Sequence, residues 1–279
     1  MRASSVSVLS AIAVVLLLSV VCPTAFAKPA DKNSRVAKYV TLCKTSDPKI
    51  DKCMINALND ILKHAKTGIP ELGVPAIEPF LIRELDLKIF QALGTQLFGN
   101  QQNSDKFRAL ARNIIVHHSS EFKLHHMKID MKKKEFFANL TFPFLQIEGE
   151  YDVNLMMFNL PIKSTGPVKI NATNIFVEST LMGKLVNRKN DKYLMFDNVD
   201  IKVNFQDYSV VIENLFKKDQ NLNRAVNDMI KTQKHELKKM TLPMIEELSG
   251  KMLLNMVNQM LGGVPFDEMF IVDQLPSSR

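Results

Sequence analysis

The sequence predicts an α+β fold, a strongly curved antiparallel β-sheet wrapped around a long C-terminal α-helix, a shape that can enclose an elongated hydrophobic tunnel. Two patterns carry that expectation. From Asn221 to Leu261, the residues Leu222, Val226, Met229, Ile230, Leu237, Met240, Ile245, Leu248, Met252, Met256 and Met260 recur at three- and four-residue steps, the spacing of one helical face. At 1.5 Å per residue such a helix is roughly 60 Å long and needs an equally long apolar partner. That partner lies upstream, where residues 112–216 read as strand after strand of alternating character without intervening helices, the pattern of an antiparallel meander with one apolar face. Methionine is flexible and polarizable, so a wall rich in it adapts to greasy ligands of irregular outline. The same stripe would also fill an ordinary core, and periodicity does not separate the two.

Taken in order, the chain opens with a leader. Arg2 gives a short positive region, Leu9–Val21 an apolar core, and Ala25-Phe26-Ala27 a small-x-small cleavage pattern, so residues 1–27 are read as a signal peptide and 28–279 as one secreted domain. The apolar core is too short for a comfortable membrane span, and no later segment is continuous enough to be one. Cys22 leaves with the leader, and Cys43 and Cys53 are expected to pair in an oxidising compartment. The first helix follows, with Asp47 read as its N-cap, Pro48 at its first position, and Ile50, Met54, Leu58, Ile61 and Leu62 on one face before Gly68 and Pro70 stop it. Residues 68–80, with three prolines and two glycines, are expected to run extended and rigid along one end of a cavity.

In the strand region Phe122, Leu124, Met127, Ile129 and Met131 alternate up to Lys132-Lys133-Lys134, which is read as a solvated hairpin turn. Phe136–Phe144 and then Leu145, Ile147, Gly149, Tyr151, Val153 and Leu155 continue the pattern, as do Val168, Ile170, Val199, Ile201, Val203 and Phe205. Ser164–Pro167 and Asn187–Asp191 read as further hairpin turns. The final helix is expected to be continuous and kinked at Pro243.

The 46% apolar content supplies a sizeable core, and the formal charge of +7 is spread rather than clustered. Spread charge, secretion and the lack of a recognised motif argue against a nucleic-acid partner; transient contact with membrane surfaces is compatible with it.

The leader, the Cys43/Cys53 pair, the segment Gly68-Ile69-Pro70-Glu71-Leu72-Gly73-Val74-Pro75-Ala76-Ile77-Glu78-Pro79-Phe80, the following sheet and the long last helix together resemble the insect takeout and juvenile-hormone-binding protein family. The resemblance covers the whole mature chain, and the proline-rich segment is its most specific part. It implies a tubular lipid-binding fold with an internal apolar tunnel, and a secreted carrier of juvenile hormone, other terpenoids or fatty-acid-like compounds. Haemolymph juvenile-hormone carriers that this chain resembles have a second disulfide, which this chain lacks the cysteines to form; the likeness is therefore to the takeout branch.

No Gly-x-Ser-x-Gly elbow or phosphate-binding glycine loop is present, and His235-Glu236 lacks the second histidine of a zinc-protease helix. Neither an enzyme nor a cofactor is expected. Adjacent residues on a strand face opposite ways, so His117-His118 and His125-His126 are each expected to offer at most one residue to a shared site, and no metal centre is assigned. Asn139-Leu140-Thr141 and Asn171-Ala172-Thr173 are glycosylation sequons that would place both asparagines outward. The expected function is reversible binding of a small hydrophobic ligand by a monomer. Its lining would come from Phe122, Leu124, Tyr151, Val153 and Phe205 of the sheet and Met229, Met240, Met252 and Met256 of the helix. Tyr151, Asn174 and His126 are the candidates to orient it by a polar contact. The alternative is a protein acting at lipid surfaces, in transfer or defence.

Overall fold

The computed structural model describes residues 36–64, 66–87, 108–157, 160–216 and 219–272; the expected leader lies outside them. A short strand β1 (Cys43–Lys44) leads into α1 (Ile50–Leu62), which buries Ile50, Met54, Ala57, Leu58 and Ile61 along one face. The helix begins at Ile50 and not at Pro48. Asp47 turns its carboxylate back to the Lys49 amide at 2.7 Å, so it closes the preceding turn and does not cap the helix. Asp51 accepts a hydrogen bond from the Ile129 amide at 2.8 Å, which fixes α1 against the sheet.

Cys43 and Cys53 are joined in a disulfide across ten residues, tying β1 to the first turns of α1. β1 also pairs in parallel with β8 (Phe270–Ile271), so the bridge holds the arm that ties the N-terminal side of the fold to its C-terminal end. The chain-entropy estimate for so short a loop is about 2–3 kcal/mol. Replacing both cysteines by alanine should therefore lower the unfolding free energy in urea by about that amount. Affinity for an apolar probe should change far less.

The proline-rich stretch does not run extended. Pro70–Leu72 form one turn of 3₁₀-helix, closed by a bridge between Ile69 and Val74, because Gly68 and Gly73 both adopt φ near +66° and reverse the chain. A side chain at Gly68 would sit 2.4 Å from the Val74 carbonyl oxygen.

Six strands form the main sheet: β2 (Phe80–Asp86), β3 (Arg108–His117), β4 (Lys123–Asp130), β5 (Glu135–Met157), β6 (Leu160–Arg188) and β7 (Asp191–Ile212). Their order is β2-β3-β5-β6-β7, and β3 and β4 follow one another along the same side of β5. Every pairing is antiparallel. The lysine triplet does form the β4–β5 turn, with Asp130 accepting from the Lys132 and Lys133 amides. Those hydrogen bonds, that from Lys133 foremost, hold the Asp130 carboxyl below its ordinary range. Lys189 and Asn190 make the β6–β7 turn inside the expected Asn187–Asp191 stretch. Ser164–Pro167 is not a turn. It lies within β6, opposite Val153–Glu150.

The inward-facing set changes phase at one level across three neighbouring strands. On β5 it passes from Phe136, Ala138, Leu140 and Phe142 to Leu145 and Ile147; on β6 from Ala172 to Ile175 and Val177; on β7 from Val203 and Phe205 to Tyr208. Pairing continues through the change, with Phe142 opposite Ile175 and Leu145 opposite Ala172. Asn174 sits there at φ 46°, its amide bonded to Gln206 of β7, and Pro143 lies between the two β5 sets. A period-2 pattern that slips by one while the ladder persists means that the strands bend together, and this is how the sheet curls.

The helical arm is in two pieces, α2 (Gln220–Thr232) and α3 (Lys234–Leu261), where one helix was expected. The interruption falls at Gln233 (φ −98°, ψ 21°), ten residues before Pro243, which α3 carries internally. The Thr232 hydroxyl donates to the Met229 carbonyl and the Tyr208 hydroxyl to that of Lys234, so carbonyls at the break have partners.

The arm runs along β7, the strand at the end of the sheet order, and is stitched to it by side chains. Asn258 accepts from the Phe196 amide (2.8 Å) and donates to its carbonyl (2.6 Å). Asn227 treats Ile212 in the same way, and Asn223 does so for Phe216 just beyond the strand. Glu246 accepts from the Val203 amide, and Lys238 donates to the Phe205 carbonyl. Gly250 allows the close approach: a Cβ there would lie 3.2 Å from Ile201 and 3.3 Å from Val199.

Candidate functional site

The apolar interior is divided. A main cluster gathers α1, the inward residues of β2–β7, the C-terminal half of α3 with Leu253, Val257 and Leu261, and α4 (Phe266–Met269). A second, small cluster lies toward the β5–β6 hairpin and joins Tyr151, Ile162, Leu215 and Val226. Beside the main cluster is a band of apolar residues that pack on it yet are only half-buried: Leu145 and Ile147 of β5, Ala172 of β6, Tyr208 of β7, and Leu242, Ile245 and Met252 of α3. Leu145, Ala172 and Tyr208 are neighbours in one row across three strands, with the smallest residue in the middle. A small residue between two large ones makes a trough.

A narrow crevice at the α1 end is lined by Ile61, His64, Val74, Pro75, Ile77, Met256 and Met260. The proline-rich turn thus forms one wall of an apolar recess, and the C-terminal part of α3 forms another. His64 brings the polar atoms, its ring set edge-on to Tyr39 at 5.5 Å.

The residues expected to line a ligand site fall into four groups. Phe122, Leu124, Phe205 and Met256 belong to the main cluster or pack on it, with Phe122 edge-on to Phe142 and Phe205 to Tyr208. Tyr151 is in the second cluster and Val153 packs on it. Met252 is in the half-buried band. Met229 and Met240 are half-buried on α2 and α3 and belong to neither cluster among the described residues. Twelve residues at 3.6 per turn put Met240 about 120° around the axis from Met252, so the methionines do not share one face.

The three candidates for a polar contact are not available to an interior ligand. The Tyr151 hydroxyl donates to the Glu213 carbonyl, and burial pushes its pKa up. Asn174 and His126 are exposed on the convex face. Tyr208, missed in the sequence because its alternation is out of phase with Phe205, reaches the band, but its hydroxyl is taken by Lys234.

Leu140 is fully buried and Ala172 packs on the core, so the sequon residues Asn139 and Asn171 stand on the convex face. The Asn139 amide nitrogen, the atom a glycan would take, donates to Glu178 at 3.1 Å. The amide oxygens of both asparagines are buried without a hydrogen-bond partner in the described structure. Both His125 and His126 face solvent. A β-bulge between Leu124 and His126 lets neighbouring residues share that side, which regular alternation forbids. Among the described residues no group of three histidine, cysteine or carboxylate side chains could hold a metal ion, and no helix is long and apolar enough to cross a membrane.

The half-buried band, the curled sheet and the stitched helix can be set beside known proteins. The sequence profile described as haemolymph juvenile hormone binding protein (JHBP) matches residues 15–271. The circadian clock-controlled protein daywake of Drosophila melanogaster is 24% identical over 244 residues, a match covering 82% of this chain and 85% of that protein. The protein of the same name in Drosophila yakuba is 20% identical over 229 residues with the same coverage. The crystal structure of Takeout 1 from Epiphyas postvittana shares the fold, with a TM-score of 0.61 over 84% of this chain and all of that one at 16% identity. With the profile spanning most of its length, the chain belongs to the haemolymph juvenile hormone binding protein family.

Proposed function

We propose that this protein is a secreted carrier that reversibly binds a small hydrophobic molecule of terpenoid, juvenile-hormone-like or fatty-acid-like class. The reading is carried by the half-buried apolar band of Leu145, Ile147 and Ala172 with Leu242, Ile245 and Met252, because apolar surface left partly uncovered inside a curled sheet is surface a ligand can cover. The family match and the leader at residues 1–27 support it. A ligand with about fifteen apolar carbons gains on the order of 12 kcal/mol gross from burial at about 0.8 per methylene, before association and ordering costs reduce it. Because the Tyr151 and Tyr208 hydroxyls are engaged by backbone carbonyls, selection rests on length and shape more than on head-group chemistry.

The direct test is mass spectrometry of organic extracts from protein purified from its native source. A stoichiometric apolar compound is the expected result, and a protein that carries none and displaces no fluorescent fatty acid would sink the proposal. Methionine variants locate the site. Met252→Leu nearly conserves volume and costs less than about 1.5 kcal/mol; it should change the relative affinities across a panel of terpenoids and fatty acids while the melting temperature barely moves. Met240→Leu, on another face of α3, should leave that selectivity unchanged.

A further inference from the structure

We propose that Asn171, and not Asn139, carries an N-linked glycan whose first sugar lies over Val211 of β7. Both sequon asparagines stand on the convex face, so their surroundings must separate them. The Asn139 nitrogen is committed to Glu178 at 3.1 Å, and the rings of His126 and Phe137, 5.9 Å apart, stand beside it. The Asn171 nitrogen donates to no described group, whereas the oxygen of the same amide is turned inward and buried without a partner. A bare carboxamide gains by turning such an oxygen toward a donor or water. A sugar removes that choice. It is too large to bury, so a glycosylated asparagine keeps its nitrogen outward and its oxygen inward. At Asn139 the bond to Glu178 accounts for the same orientation; at Asn171 nothing else in the described structure does.

The β7 side of Asn171 has room for the sugar. Asn171 is opposite Ser209, a small exposed residue, and Val211 is its diagonal neighbour two positions on. Diagonal neighbours stand about 7–8 Å apart, within reach of a ring carried on an asparagine nitrogen. The long side chains nearby turn toward β5: Lys169, opposite Val211, meets Glu148 at 2.6 Å, and Gln146 donates to the same carboxylate oxygen at 2.8 Å. Val211 is left 46% exposed, and the C–H face of a pyranose is an apolar surface that can cover it.

The proposal rests on the secretory reading of residues 1–27, because this modification is made on exported chains. The Asn171 nitrogen attacks the anomeric carbon of a polyprenyl-pyrophosphate-linked oligosaccharide. A carbon–nitrogen bond forms, the bond from that carbon to the pyrophosphate oxygen breaks, the nitrogen loses one proton, and polyprenyl pyrophosphate leaves. Thr173 supplies the hydroxyl that the sequon requires, and the residue between, Ala172, is not proline.

The test is peptide mapping of the protein secreted by insect cells, after a peptide N-glycosidase in isotopically heavy water has turned each glycosylated asparagine into labelled aspartate. Asn171 should be recovered as aspartate and Asn139 largely as asparagine. T173A should lose the glycan although Asn171 is intact, and T173S should keep it. Hydroxyl-radical footprinting then reads the cover. Val211 should be oxidised several-fold faster in N171Q than in the wild type, with Leu222, 40% exposed on α2, unchanged. Secreted protein with Asn171 bare, conversion at Asn139 equal to or above that at Asn171, a glycan at Asn171 that survives T173A, or a Val211 rate indifferent to N171Q would each overturn the proposal and leave the carrier reading standing. A chain retained in the cytosol with its leader uncleaved would overturn both the proposal and the secretory reading.

Discussion

Asn258→Ala should lower the unfolding free energy by about 2–4 kcal/mol, read as a lower midpoint in urea with an unchanged slope. One side chain here serves both backbone groups of Phe196, a residue 1% exposed at the β7 bulge. Truncation strands an amide and a carbonyl away from water, and each orphaned group costs about 1–3 kcal/mol. Asn258→Asp keeps the acceptor for the Phe196 amide and loses only the donor, so its loss should be roughly half as large. Equal stability of the alanine variant and the wild type would mean that α3 is held on β7 by apolar contacts at Gly250, Leu253 and Val257 alone.

Ala172→Phe should weaken binding of an apolar probe at least about ten-fold, equivalent to about 1.4 kcal/mol, with a melting temperature unchanged or raised. The new ring would fill the trough between Leu145 and Tyr208. Filling open apolar space stabilises, whereas forcing a ring into a closed core costs typically about 1–3 kcal/mol. The two outcomes separate a binding surface from a packed interior. A destabilised variant with unaltered affinity would remove the band from the ligand site.

The large features of this fold are written in local patterns. α1, the antiparallel strands, the lysine turn and the Asn187–Asp191 turn each follow from short-range chemistry, and the resemblance carried by the proline-rich segment named the family that the profile match shows. What could not be read locally is cooperative across strands. The slip from Phe142 to Leu145 looks, in one strand, like the end of an element; only the matching slips on β6 and β7 reveal a bend that keeps the ladder intact. The same blindness made a turn of Ser164–Pro167, whose turn-forming residues lie in the middle of a paired strand. At the helical arm, Pro243 was the visible breaker, yet the interruption is at Gln233, near carbonyls met by Thr232 and by Tyr208 from another strand. Tyr151 shows a free-looking hydroxyl in the sequence, and nothing local to it announces the Glu213 carbonyl 62 residues away that occupies that hydroxyl.

The stitching of β7 also governs how the molecule behaves toward other copies of itself. A 22-residue strand with open amides and carbonyls is a template on which a foreign strand can grow, the first step toward aggregates and fibrils. Asparagine, glutamate and lysine side chains from the chain's own helices occupy those groups at Phe196, Val203, Phe205 and Ile212. The edge is thereby interrupted at those four positions without a further strand that would itself need an edge. The contacts that seat the helix are thus also the ones that blunt this edge as a template.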